Sequence, residues 1–350
     1  MKHTKSHASP TLIVSTGDPG GVGPAVSLQA AAALQQTNPS LRCVLVGDAD
    51  ALQAMAVKLA PDALPLSRVE PDALAHASTR PGIHAVHATS WKDCTIPAGG
   101  PEAANGEAQL RALNLAIDLT TAPPEGGERR ALVTAPMSKA AVERAGHPFT
   151  GHTEHLARRA GLPADAVTMI FRGPRLTVAL CTTHVAIRHV ADHITEARVT
   201  RSIRHLAQAL NTWHPNPDLP LRITVTGLNP HAGESGLLGE EDDAQIAPAI
   251  AKLTPTLPQQ LGRPIVICGP LPAESALRQT ADGHFNAAVA MLHDQATIAC
   301  KLLDWGHSVN LTWGLPYLRT SVDHGTAYAA ARTGEIDPQG MLAAMHLAIR

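Results

Sequence analysis

The chain has 350 residues, with 28 Lys and Arg against 30 Asp and Glu for a formal net charge of −2; hydrophobic residues make up 44% and charged residues 17%. That length suits two medium domains with a substantial core, and the composition excludes a disordered polyelectrolyte. No apolar run approaches the ~18 residues needed to span a bilayer, and the near-neutral charge and sparse aromatics exclude a nucleic acid or acidic membrane face as the expected partner, leaving a small solute.

The polar opening MKHTKSHASP lacks the apolar stretch of a secretory signal and reads as a short disordered tail. Thr11 to Thr16 then forms an apolar, β-branched strand ending in the glycine-rich turn Gly17 to Gly23, with Pro24 opening a helix. The same rhythm returns at Cys43 to Gly47, at Ala131 to Ala135 and at Arg222 to Thr226, each followed by a helical stretch. Strands alternating with helices predict a largely parallel sheet covered on both faces, an α/β fold. Further strands are expected at Val167 to Phe171, Leu176 to Cys181, Pro264 to Cys268, Ala287 to Leu292 and Val309 to Thr312. Helices are expected at Ala104 to Ala122, Glu154 to Ala160, Thr195 to Thr212 and Pro338 to Ile349. Five scattered cysteines with no CxxC pair indicate neither a disulfide framework nor a thiolate zinc site, and fit a reducing cytosol.

Four polar constellations stand out. The loop Gly17-Asp18-Pro19-Gly20-Gly21-Val22-Gly23-Pro24 sits between a strand and a helix, where backbone amides can face an anion; the competing reading is a tight turn needing positive φ. It is neither a Walker loop nor an in-register GxGxxG. In Thr150-Gly151-His152-Thr153-Glu154, Thr153 is placed to cap the following helix and His152 to point at whatever the helix start holds. Three histidines, His184, His231 and His293, each follow the end of an expected strand. Ligands gather outside the carboxyl ends of parallel strands, so three imidazoles there can converge on one cation and leave positions open for substrate oxygens. Finally, Lys301, Asn310 and Arg319 supply a point charge, an amide and a planar fork, a set suited to phosphate or carboxylate; a structural Arg319–Asp323 ion pair is the alternative.

These residues lie in GDPGGVGP, TAPMSKAAVERAGHPFTGHTEHLA, CTTH, GLNPHAGESGLLGEED, GPLPAESAL, AMLHDQATIACK and VNLTWGLPYLRTSVDHGTA. In these motifs the chain resembles, nearly end to end, the 4-hydroxythreonine-4-phosphate dehydrogenase family of pyridoxal phosphate biosynthesis. The resemblance implies an isocitrate/isopropylmalate dehydrogenase-like fold of two α/β/α domains. The expected division is 10–135 plus 295–350 for the first domain and 136–294 for the second, with the active site in the cleft and at a homodimer interface. It implies a divalent metal (zinc, alternatively magnesium or cobalt) held by His184, His231 and His293 and shared between subunits. His152, Thr153, Lys301, Asn310 and Arg319 are the implied substrate contacts. Asp294, beside a ligand histidine, is the candidate proton acceptor or orienter, with Asp323 and His324 as alternatives; Lys301 is a second candidate catalytic group, and no residue is assigned to NAD or NADP.

The implied reaction is NAD(P)-linked oxidation of 4-hydroxythreonine 4-phosphate to 2-amino-3-oxo-4-phosphooxybutanoate, which decarboxylates to 3-amino-2-oxopropyl phosphate, in the cytoplasm. Two other readings are kept: a paralogous dehydrogenase of 4-phospho-threonate or 4-phospho-erythronate, and a catalytically inactive metal- or ligand-binding protein. Ala25, Ala296 and Ala330 to Gly334 depart from the family pattern near the implied site, and bear on substrate identity more than on fold.

Overall fold

The computed structural model describes residues 11–63, 65–74, 80–123 and 128–349, so the expected tail at 1–10 lies outside the described residues. Among these there are twelve strands: β1 (Thr11–Ser15), β2 (Arg42–Gly47), β3 (Ser67–Arg68), β4 (Gly82–His87), β5 (Arg130–Thr134), β6 (Thr168–Arg172), β7 (Thr177–Leu180), β8 (Leu221–Thr226), β9 (Ile265–Leu271), β10 (Ala287–Ala290), β11 (Val309–Trp313) and β12 (Leu318–Ser321). Helices follow most of them, giving the α/β arrangement that alternating apolar runs predict. No helix among the described residues is long and apolar enough to cross a membrane.

The chain divides into two compact units. The first runs to Ala164 and resumes at Leu315; the second is the contiguous Asp165–Gly314. Both boundaries fall later than the expected 135/136 and 294/295. The helix Lys139–Arg144 stays with the first unit because it lies against the helix Ala103–Thr121, so closely that a Cβ on Gly106 would sit 2.0 Å from the Ala141 carbonyl oxygen. The segment before Leu315 stays with the second because β11 pairs antiparallel with β6 from Val309 to Trp313.

In the first unit the strand order is β3-β4-β2-β1-β5-β12, with every pair parallel. β1 and β2 are apolar on both faces because both are covered: Leu12, Val14, Val44 and Leu45 have no exposure. Burying each such side chain contributes about 1.5–3 kcal/mol. β4 and β12 were not among the expected strands. β4 carries His84 at its centre, with Nε2 2.8 Å from the Arg80 carbonyl oxygen, and β12 carries Arg319; both residue types read as loop in an apolarity count.

In the second unit the order is β11-β6-β7-β10-β8-β9, where β7, β10, β8 and β9 are parallel and β6 runs antiparallel to both neighbours. Its core includes Val178, Leu180, Ala288, Ala290 and Ala296. The departure at Ala296 therefore places a methyl group in packed core.

The loop after β1 is a packing knot rather than an anion cradle. Gly17 takes φ +74°, and a Cβ on Gly21 would lie 2.6 Å from the Thr326 carbonyl oxygen. The amides that an anion would need are spent inside the chain: Gly20 N–H donates to Asp18 Oδ1 (2.8 Å), Gly21 N–H to the Asp18 carbonyl (3.1 Å) and Val22 N–H to the Thr326 carbonyl (2.9 Å). The buried Asp18 carboxyl also accepts from Asn105 Nδ2 (3.2 Å), Gln109 Nε2 (3.3 Å) and Tyr328 Oη (2.7 Å). Asp18→Ala would strand four donors in a dry site, so unfolding free energy is expected to fall by about 3 kcal/mol or more. Urea unfolding checks this; a loss below about 1 kcal/mol would contradict the hub role.

Candidate active site

The three strand-end histidines follow three adjacent strands. β7 pairs with β10 and β10 with β8, all parallel, so the segments carrying His184, His293 and His231 leave the sheet side by side. Cross-links hold the first two ends in register: Cys181 N–H donates to the Ala290 carbonyl (2.8 Å) and Thr182 Oγ1 to the Met291 carbonyl (2.6 Å). As a result the His184 and His293 rings lie 5.5 Å apart between centroids. His293 opens the helix His293–Leu303, and its Nδ1 lies 2.7 Å from Asp294 Oδ1. A carboxylate accepts, so Nδ1 is the donor of this contact, and Nε2 is the nitrogen turned away from Asp294.

His231 sits on the turn Pro230–Glu234, where His231, Ala232, Glu234 and Ser235 have φ of 53°, 53°, 44° and 60°. Four non-glycine residues in the left-handed region cost about 1 kcal/mol or more each and persist only where surroundings over-determine them. Buried Asp242 provides that restraint, accepting from Leu228 N–H (2.9 Å), Asn229 N–H (3.1 Å) and Asn229 Nδ2 (3.0 Å). Gln295 ties the neighbouring strand end to the same place: its Oε1 accepts from Leu292 N–H (3.0 Å) and Thr226 Oγ1 (3.2 Å), and its Nε2 donates to the Gly227 carbonyl (3.0 Å). Asp242 and Gln295 are not among the expected site residues, though each stands within one of the motifs that carry the family resemblance. Among the described residues of one chain no three His, Cys, Asp or Glu side chains are grouped closely enough to hold a metal. One copy thus brings the His184 and His293 rings together and braces His231 on its own turn.

A second cluster lies in the first unit. Arg319, 2% exposed, projects from β12 and donates from Nη2 (2.7 Å) and Nε (3.2 Å) to Thr134 Oγ1 at the end of β5. Burial lowers its pKa to about 10, still cationic at neutral pH. His152 is held well below the usual histidine range by burial, then by the nearby Arg319 charge and by His155, so it is neutral. Its Nε2 is buried without a hydrogen-bond partner among the described residues. Thr153 does not cap its helix. The helix is His152–Arg159 with Gly151 as the capping residue at φ 156°, and Thr153 lies buried one position inside it, because the glycine lets the chain turn one residue earlier. His155 is structural, with Nε2 2.8 Å from Asn114 Oδ1 and Nδ1 2.9 Å from Arg158 Nη2.

Lys301 and Asn310 belong to the second unit. Lys301 is exposed on the helix that His293 opens, and Asn310 lies on β11 opposite Phe171 with its Oδ1 buried and without a partner among the described residues. On Lys301's helix and just beyond it Ile298, Leu302 and Trp305 are exposed at 58%, 81% and 77%. Of the remaining departures, Ala25 is buried and Arg332 Nη1 donates to the Gly99 carbonyl (3.3 Å).

Comparison with known proteins places these residues in context. The family model described as pyridoxal phosphate biosynthetic protein PdxA matches residues 40–348. The chain is 38% identical to the 4-hydroxythreonine-4-phosphate dehydrogenase of Geobacter metallireducens, covering 99% of this chain and 96% of the relative. It is 39% identical to the enzyme of the same name from Chromobacterium violaceum, covering 97% and 96%. Among solved structures, it superposes on 4-hydroxythreonine-4-phosphate dehydrogenase from Klebsiella pneumoniae with a TM-score of 0.76 and 33% identity, covering 99% of this chain and 98% of that one.

Proposed function

The chain belongs to the pyridoxal phosphate biosynthetic protein PdxA family and is an oxidoreductase of that family, and from this premise we propose that it oxidises 4-hydroxythreonine 4-phosphate with NAD or NADP. The C3 hydrogen leaves as hydride to the nicotinamide and the C3 hydroxyl gives up its proton, forming 2-amino-3-oxo-4-phosphooxybutanoate. That β-keto acid loses its carboxyl group as CO2 and takes a proton at the former α-carbon, giving 3-amino-2-oxopropyl phosphate.

The observation that carries this reading is the placement of His184, His231 and His293 after three adjacent parallel strands, with His293 oriented by Asp294. We assign these three imidazoles to a divalent cation at a site shared between two copies of the chain. Zinc suits this nitrogen set best, with magnesium or cobalt as the alternatives. When bound, such a cation lowers the pKa of a substrate hydroxyl and stabilises negative charge on its oxygen. The exposure of His184 and His231 and, separately, of the apolar residues Ile298, Leu302 and Trp305 supports a homodimer.

The roles of the other residues follow from their chemistry. Asp294 positions His293. Arg319, with its planar fork in a dry setting, binds a substrate oxyanion, and neutral His152 and Thr153 supply hydrogen bonds beside it. Lys301 and Asn310 hold polar groups of the substrate, and Lys301 is the group assigned to accept or return a proton.

The test is NADH formation by purified protein with 4-hydroxythreonine 4-phosphate, 4-phospho-threonate and 4-phospho-erythronate. The reading expects the first to have the highest kcat/KM by at least about tenfold, a difference of about 1.4 kcal/mol in transition-state binding. A preference for either acid would transfer the assignment to the paralogous dehydrogenase; no turnover with any of them would overturn it.

A further inference from the structure

We propose that the Tyr317 hydroxyl is a further substrate-contacting group, donating a hydrogen bond to a substrate oxyanion held beside Arg319 and so tuning which anionic substrates this chain accepts. The proposal rests on the dehydrogenase reading above and adds a residue to it.

Tyr317 stands two residues before Arg319, directly ahead of β12. Its ring packs against the core cluster that includes Phe149 and Leu156. The hydroxyl itself is buried and has no hydrogen-bond partner among the described residues. Buried hydroxyls nearly always find partners, and an unmet one is a cost that a purely packing residue would avoid by being phenylalanine. His152 Nε2, also buried and unmet, belongs to the same neighbourhood, since the Arg319 charge acts on both groups. A buried guanidinium with two unmet polar atoms in its neighbourhood is a setting that an anion's several oxygens complete. Burial pushes the Tyr317 phenol up to about 12, against the lowering pull of Arg319 and Arg159, so at neutral pH it is protonated and donates.

The oxyanion has two sources in the substrate, its phosphate and its carboxylate, and the test separates them. Wild type and Tyr317→Phe are compared by calorimetry with inorganic phosphate and with unphosphorylated 4-hydroxythreonine, and by steady-state kinetics with 4-hydroxythreonine 4-phosphate. The variant is expected to lose about tenfold in affinity for one of the two probes, the typical cost of one hydrogen bond to a charged group. KM should rise by a similar factor, with kcat changed by no more than about twofold. Its melting temperature should be equal to or above that of wild type, because an unmet buried hydroxyl has been removed; a merely structural tyrosine would give a lower one with unchanged KM. Loss toward phosphate assigns the contact to the phosphate, and loss toward 4-hydroxythreonine assigns it to the carboxylate. Unchanged affinity for both, with unchanged KM, overturns the proposal while leaving the dehydrogenase reading intact. A wild type that turns over none of the substrates removes that reading instead, and the substrate contact of Tyr317 falls with it.

Discussion

Replacement of His231 by alanine, or removal of divalent metal with a chelator, is expected to lower NADH formation by about a thousand-fold. Lewis-acid assistance to a developing alkoxide contributes several kcal/mol, and each 1.4 kcal/mol is about tenfold in rate. The measurement pairs turnover with metal content by atomic absorption. Chelated wild type should recover on adding back zinc, cobalt or magnesium, whereas His231→Ala should neither retain stoichiometric metal nor recover. Because His231 is exposed on a turn held by Asp242, its truncation leaves the fold's core untouched, so urea unfolding should match wild type. Asp294→Asn should act more mildly, at about 10–100-fold in metal affinity, since it alters the orientation and basicity of His293 rather than deleting a donor. Normal turnover by demetallated protein would sink the metal assignment.

The second large effect belongs to Arg319. Arg319→Met keeps an unbranched side chain in the buried space but removes the fork, and kcat/KM is expected to fall by about 100-fold or more, as a charge-assisted bidentate contact is worth about 2–3 kcal/mol or more. Arg319→Lys should not restore it, because a point charge cannot present two parallel donors. Stability separates binding from folding at this position. A buried guanidinium carries a desolvation cost, so exchanging it for methionine should leave the urea midpoint unchanged or raised. A variant within about threefold of wild type in kcat/KM would rule out direct substrate contact.

Particular residues show why some of the molecule is readable from its sequence and some is not. The strand-end histidines are legible because β7, β8 and β10 are short apolar runs, each succeeded by a polar cluster, and parallel strands deliver their trailing segments to one edge of the sheet. β12 is not, because Leu-Arg-Thr-Ser is polar by composition; pairing with β5 makes it a strand, and its place there buries the arginine. The left-handed stretch at His231 is equally hidden, since Ala232 and Glu234 carry no turn signal and the conformation is enforced from Asp242, eleven positions along the chain from His231. The glycine-rich loop misleads in the opposite direction. Its composition suggests an anion cradle, while its amides are used up by Asp18 and Thr326, and no local pattern announces a carboxyl acceptor recruited from within the loop itself.

That recruitment ties translation to folding. Asp18 is synthesised well before one of its four donors, Tyr328, and before the carbonyl that takes the Val22 amide, Thr326, both of which emerge only after all of Asp165–Gly314. The contiguous second unit has its whole strand set available while the first still waits for β12 and the closing of this stitch. The buried carboxyl therefore lacks its Tyr328 donor until the segment after Gly314 has been made.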